Sequence, residues 1–276
     1  MSADPSTELS TVELASRIRA EALRMVARAK ASHIGGALSM ADILAVLYGG
    51  LLRVRPDDPE WPDRDRFILS KGHSCTGLYA TLALRGFFPL EELATYGHDG
   101  SRLMAHVSHK VPGVEFSTGS LGHGLPFGCG KALSARRCGH AWRTFVLLSD
   151  GELDEGSNWE AILFAPQHRL DNLVAIVDYN KIQSLGSVEE VLDLHPLAEK
   201  FRACRWTVRE VDGHDHAELA DALKTIPWET GRPSCLIAHT VKGRGVDFME
   251  NSLDWHYRSP SDADLARALS QLKPQP

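Results

Sequence analysis

Five short apolar runs, each set between stretches of helical periodicity, constrain this chain more than any other feature. They are Arg66–Ser70 (RFILS), Thr144–Ser149 (TFVLLS), Leu173–Asp178 (LVAIVD), Thr207–Val211 (TVREV) and Ser234–Ala238 (SCLIA). Apolar runs without alternation, separated by helices, predict parallel strands covered on both faces. The helices announce themselves at their starts. Ser10 and Glu13 have capping-box spacing ahead of Leu14, Ile18, Ala22, Met25, Val26 and Ala29, which share one face. Ser39 with Asp42 predicts a second start, before Ile43, Leu44, Leu47 and Leu51, and residues 74–85 predict a third helix stopped by Gly86. Asp215, and Ser261 with Asp264, precede two more. The expected fold class is α/β, a parallel twisted sheet flanked by helices on both faces. Its 276 residues carry no repeat, linker or low-complexity tract, so one domain is expected, long enough to bury roughly three quarters of its unfolded surface.

Charge and cysteine usage narrow the function classes. A net charge of −6 argues against a nucleic-acid partner. Five cysteines, odd in number, far apart and without a C-x-x-C, read as free thiols of a reducing compartment. The longest apolar stretch, Ile43–Leu52, has ten residues with two glycines, where a membrane span needs about 20. Residues 1–11 have neither the basic nor the apolar region of a leader. A cytoplasmic protein with no membrane partner is expected. Two segments break the strand–helix rhythm, residues 97–118 and 240–260, and polar loops of that length in a compact domain are functional or disordered.

Ligands of an open parallel sheet bind at the carboxyl ends of its strands, and two such ends carry chemistry. TFVLLS runs into Asp150-Gly151-Glu152, with Asp154, Glu155 and Gly156 following before a helix from about Ser157. LVAIV runs into Asp178-Tyr179-Asn180-Lys181-Ile182. The thirty residues from Asp150 to Asn180 suit one strand–helix–strand crossover, which sets the two side by side on adjacent strands. Magnesium takes hard oxygen donors, one or two carboxylates completed by phosphates and water. Asp150, the Asn180 amide oxygen and a carbonyl near Ile182 supply half such a shell, and Gly151 lets backbone approach a diphosphate. Taken singly, each acid is better read as favouring the start of the next helix. An EF-hand is excluded, because its sixth position is Glu155 and its twelfth Ala161. A P-loop fails at Leu125 and Ala132, and residues 119–124 lack the dinucleotide glycine order. Residues 117–130 read as a glycine-dense helix entry suited to close packing or backbone approach.

With these residues in place, the chain resembles the N-terminal, diphosphate-binding portion of transketolases. Six blocks run in the family's order: Ala31–Gly36 (ASHIGG), Lys71-Gly72-His73, Thr118–Gly124 (TGSLGHG), Asp150-Gly151-Glu152 with Glu155-Gly156, Asp178–Ile182 (DYNKI), and Thr240–Gly243 with Gly245 and His256. The resemblance implies the thiamin diphosphate-binding fold of diphosphate type. It also implies a thiamine diphosphate enzyme that breaks the C2–C3 bond of a ketose and passes the two-carbon glycolaldehyde unit to an aldose, the thiamine ring acting as electron sink. By position it makes Asp150, Asn180 and the Ile182 carbonyl ligands of Mg2+ (or Ca2+ or Mn2+). His73, Gly151, Glu152, Asn180, Lys242 and His256 become cofactor contacts, and Gly119, Ser120 and Leu121 the stretch that meets the aminopyrimidine. His33, His106 and His256 become the catalytic histidines that hold substrate hydroxyls and move protons.

Bland readings stand beside these: His33 and His73 as caps, Lys242 as a solvated basic turn, His214 and His216 as surface or satisfied core residues. His106 with His109 lacks a further zinc ligand at ligand spacing. The sequence departs from the family's pattern at Ile34, His123, Ser149 and Tyr179, none of them an expected metal ligand. It also ends at Pro276, where transketolases continue into a pyrimidine-binding domain, whose glutamate activates the cofactor, and a C-terminal domain. The expectation is half of a split transketolase in an α2β2 assembly, active only with a second polypeptide. Its sugars would be pentose phosphates, branched sugar phosphates or sulfonated sugars. The equivalent subunit of a 2-oxo acid dehydrogenase or deoxyxylulose phosphate synthase, and a non-catalytic paralogue, are the competing readings.

Overall fold

A computed structural model describes residues 9–272. Residues 1–8, most of the segment read for a leader, and the terminal Pro276 lie outside the described residues. All five expected strands form, as β1 (Arg66–Leu69), β2 (Thr144–Ser149), β3 (Leu173–Tyr179), β4 (Thr207–Asp212) and β5 (Ser234–His239). They make one parallel sheet in the order β1-β2-β3-β5-β4.

Ten α-helices accompany the strands among the described residues. Before β1 come α1 (Thr11–Ala29), α2 (Ile34–Ser39) and α3 (Ala41–Val46). Then follow α4 (Cys75–Leu84), α5 (Gly124–Cys138), α6 (Gly156–Gln167), α7 (Val188–Val191), α8 (Leu197–Ala203), α9 (His216–Lys224) and α10 (Asp262–Gln271). The period-2 geometry of the strands divides the core. Phe145, Leu147, Val174 and Ile176 pack with α1, α3, α4 and α9. Val146, Leu148, Ala175 and Val177 pack on the other face with α5, α6 and α8. Each central strand is therefore buried on both sides. The fourth run differs: β4 is an edge strand with Arg209 and Glu210 exposed, as its mixed composition allows. Among the described residues no helix is long and apolar enough to cross a membrane.

The caps follow the sequence with one correction. Ser10 with Glu13 and Ser261 with Asp264 form reciprocal capping boxes, and Asp215 accepts from the amides of Ala217 and Glu218. Ser39 caps nothing. It ends α2, its hydroxyl donates to Asp178 at 2.5 Å, and Asp42 turns away to Arg19 and two histidines. A carboxylate buried at the strand ends competes for the hydroxyl more strongly than an amide of the next helix. The segment 97–118 holds neither helix nor strand, and 240–260 holds one 3-10 turn, Leu253–His256. Both run to the same end of the sheet.

Candidate active site

The site grows from the register of β2 and β3. Ser149 pairs with Asp178, so the chain emerges from adjacent strands with Asp150 and Asn180 side by side. Asp150 Oδ1 accepts from the Gly151 amide at 2.8 Å, and Oδ2 from the Lys181 amide at 2.5 Å, across the gap between the strands. Lys181 takes up left-handed backbone (φ 71°) to present that amide. Burial, with Asp178 nearby, pushes the Asp150 carboxyl up to about 6. Asn180 Oδ1 accepts from the Ile182 amide at 3.2 Å.

A lysine crosses this group. Lys242 Nζ donates to the Ile182 carbonyl at 2.8 Å and lies 2.9 Å from His256 Nδ1. Burial lowers its pKa to about 8 against the opposing pull of Asp150. A cation is thus seated on the third of the three expected metal-binding oxygens. One carboxylate, one amide oxygen and one carbonyl are the donors that Mg2+, Ca2+ and Mn2+ take. At Gly151 a Cβ would stand 2.8 Å from Gln183 Cγ, so only glycine leaves the backbone open beside Asp150. The residues present fit a diphosphate held through a hard divalent ion. Among the described residues no group of three or more His, Cys, Asp or Glu side chains is placed to hold a metal, so any ion here depends on the amide and the carbonyl.

Four histidines close over this floor in a cleft of about 440 Å3. The ring of His33 lies 5.1 Å from that of His73, 5.0 Å from His256 and 6.4 Å from His106. They come from four separate segments. His33 is held in left-handed conformation before α2, its amide donating to the His256 carbonyl at 2.8 Å. The 97–118 loop delivers His106, whose carbonyl accepts from Tyr79 Oη at 2.9 Å. Burial lowers the pKa of His33, takes His73 well below the usual imidazole range, and brings His256 to about 3, with Lys242 adding to the last. These three imidazoles are neutral at pH 7.

Every expected site residue except one lies on or in the wall of the cleft. Gly119 and Leu121 line it, and Ser120 between them is exposed and outside the wall. Glu152 is spoken for from within. Its carboxylate accepts from Ser70 Oγ, from the Gly122 amide at 3.0 Å and from the Ser149 amide at 3.3 Å, so it shapes the glycine-dense turn before α5. At that turn a Cβ on Gly124 would overlap Ser70, which is the close packing expected of residues 117–130.

Sequence reasoning missed what lies beneath. Lys71 and Asp178 form an ion pair whose side chains are 1 % and 0 % exposed. Lys71 also donates to the Gly36 carbonyl at 3.2 Å, and Asp178 accepts from Ser39, Thr240 and Asn180. Burial alone would raise the Asp178 carboxyl, but Lys71 and the two hydroxyls outweigh it and hold it below the usual range. One carboxylate therefore ties four segments together behind the expected metal-binding oxygens. The available signal was an Asp closing an apolar strand two residues before Asn180. His214 and His216 are likewise engaged, on Asp42. Tyr257 and Leu185, at the mouth of the cleft, carried no motif.

Comparison with known proteins places this geometry. Residues 10–274 match the family model described as transketolase, thiamine diphosphate binding domain. The chain is 40% identical to a subunit of the apulose-4-phosphate transketolase of Phocaeicola vulgatus, over 96% of this chain and 95% of that one. It is 38% identical to the 6-deoxy-6-sulfo-D-fructose transketolase subunit SqwG of a Clostridium species, over 93% and 94%. The crystal structure of transketolase from Campylobacter jejuni superposes with a TM-score of 0.90 at 30% identity, covering 96% of this chain and 43% of that one.

Proposed function

The chain belongs to the transketolase family as its thiamine diphosphate-binding domain, and from that premise we propose that it is the diphosphate-binding subunit of a two-chain transketolase. The observation that carries this reading is the pairing of Asp150 with Asn180 at neighbouring strand ends, beneath a ring of histidines. Asp150, Asn180 Oδ1 and the Ile182 carbonyl hold the divalent ion, Mg2+ or in its place Ca2+ or Mn2+. Gly151, Asn180, His73, His256 and Lys242 would surround the diphosphate, and Lys242 would supply a cation to balance its charge. Gly119 and Leu121, which line the cleft, would meet the aminopyrimidine, with Ser120 between them outside its wall. When bound, thiamine diphosphate supplies the electron sink for breaking a carbon–carbon bond beside a carbonyl.

The work of this chain's own residues is positioning and proton traffic. An imidazole in its neutral form both donates and accepts, which suits His33 and His256 to hold a sugar hydroxyl and take its proton as the bond breaks, and His106 lines the same cleft to hold a further hydroxyl. Two relatives are named for acidic sugars, one a phosphate and one a sulfonate. An acidic ketose is accordingly the proposed donor, and an aldose the acceptor of its two-carbon unit.

A companion chain supplies the pyrimidine-binding domain with its activating glutamate, in an α2β2 assembly. Relatives matched over most of their length are named as subunits, and the solved transketolase is more than twice as long as the part matched here. The cleft mouth supports the same reading, with Leu185 79% and Tyr257 61% exposed at its rim, an apolar edge suited to cover by a second chain. Ketose cleavage assayed with and without the companion tests it: turnover is expected only with both. Full turnover by this chain alone would overturn the two-chain reading, and turnover of pyruvate in place of a ketose would favour another thiamine enzyme.

A further inference from the structure

We propose that His214, on the turn after β4, is a positioning residue for the diphosphate end of the cleft, acting as a neutral imidazole with its proton on Nδ1. The inference rests on the reading of the cleft as a thiamine diphosphate site. His214 Nδ1 lies 2.6 Å from Asp42 Oδ2, and its Nε2 accepts from the backbone amide of Val241 at 2.8 Å. A backbone amide only donates, so Nε2 presents its lone pair and the ring proton sits on Nδ1, facing the carboxylate.

Asp42 is itself fixed. Arg19 contacts it through both terminal nitrogens, at 3.1 and 2.5 Å, and His216 Nε2 lies 3.0 Å from Oδ1. His216 Nδ1 in turn lies 2.8 Å from Thr11 Oγ1. The side chains of Asp42, Arg19 and His214 are 7 %, 8 % and 9 % exposed, and α1, α3 and the turn before α9 meet on this one carboxylate.

At the far side of the ring, Val241 stands between two residues that reach into the site. Thr240 donates its hydroxyl to Asp178, and Lys242 its ammonium to the Ile182 carbonyl. The segment is tied once more where the Gly243 amide donates to the Gly35 carbonyl at 3.1 Å. A carboxylate–imidazole–amide chain thus fixes the height at which Lys242 enters the cleft. The logic is that of outer-shell partners that orient metal-bound histidines.

Two measurements test it. Imidazole nitrogen-15 spectra of the full chain, with the His214 signals identified by their loss in His214→Gln, are expected to show Nδ1 protonated and Nε2 bare. A proton on Nε2 would overturn the inference, and this measurement needs no variant that folds poorly. The second is a thiamine diphosphate titration with Mg2+ on the full chain with its companion. His214→Asn reaches Asp42 but leaves Val241 without an acceptor, whereas the amide oxygen of His214→Gln reaches the Nε2 position. Binding is expected to weaken about 10-fold or more in the Asn variant and to stay within about threefold of the parent in the Gln variant. Equal affinities in the two variants would overturn the positioning role while leaving the cleft's assignment intact. A parent protein that binds no thiamine diphosphate would overturn the assignment itself, and this inference with it.

Discussion

Replacing Lys71 by methionine isolates the buried pair on which the site rests. Methionine keeps the length and apolar stem of the side chain and deletes only the ammonium. Asp178 would keep its hydroxyl donors, Ser39 and Thr240, and the Asn180 amide, but it would be a charge at 0 % exposure with no countercharge in contact. Breaking a buried pair from one side costs about 3–5 kcal/mol, because an uncompensated charge stays behind. Three surviving donors argue for the lower end. With both partners essentially without solvent, no discount for screening applies. At a urea slope near 3 kcal/mol/M, the upper end for small proteins, a loss of about 3 kcal/mol moves the midpoint by about 1 M.

The double variant Lys71→Met/Asp178→Asn removes both charges and retains an acceptor oxygen for one of the two hydroxyls, Ser39 and Thr240, which donate to different oxygens of the carboxylate. It is expected to recover about 2 kcal/mol or more of the loss, since removing a whole buried pair is far cheaper than breaking one. Urea denaturation of the parent, both single variants and the double variant gives the coupling directly. A cost below about 1 kcal/mol for Lys71→Met, or single costs that simply add, would refute the assignment of this pair as the tie behind the site.

Two further outcomes follow from the charges in the cleft. Asp150→Asn should abolish Mg2+-dependent thiamine diphosphate binding, while the unliganded fold stays assembled, gaining from the loss of a charge that burial opposes and losing one of the two backbone-amide contacts; melting curves with and without Mg2+ and cofactor read the binding, and an unchanged cofactor-induced shift would refute the metal assignment. The buried imidazoles set an acid limit. His73 and His256 have native pKa values lowered first by burial, so below about 6.5 the unfolded chain takes up protons that the native chain refuses. Stability therefore falls as pH drops from about 6.5 toward about 3, by at most about 1.4 kcal/mol per pH unit for each such group, and by less for the partly exposed His256. Denaturation midpoints at pH 7, 6 and 5 should decline less steeply in His73→Gln than in the parent, and parallel slopes would refute the burial argument.

How much of this was legible in the sequence depended on whether the cause was local. The strands and three of the caps were, because apolar runs and Ser/Asp-led helix starts act over a few residues. Asp150 and Asn180 were legible as a pair, because strand order and crossover length together set their separation. What escaped was long-range competition for single carboxylates. Ser39 has the spacing of a cap, but its hydroxyl goes to an acid 139 residues away. Asp42 has the place of a helix-start acid, but it gathers Arg19, His214 and His216. In both cases the sequence rule assumes solvent as the alternative partner, and burial removes that alternative. A buried carboxylate draws donors until its charge is compensated, so two acids, Asp42 and Asp178, came to organise residues from α1, α2, the turn after β1, the start of α9 and Thr240. The cleft end of this sheet is therefore held by buried charges, Lys71 among them at the cleft wall, and the loops above it carry the histidines.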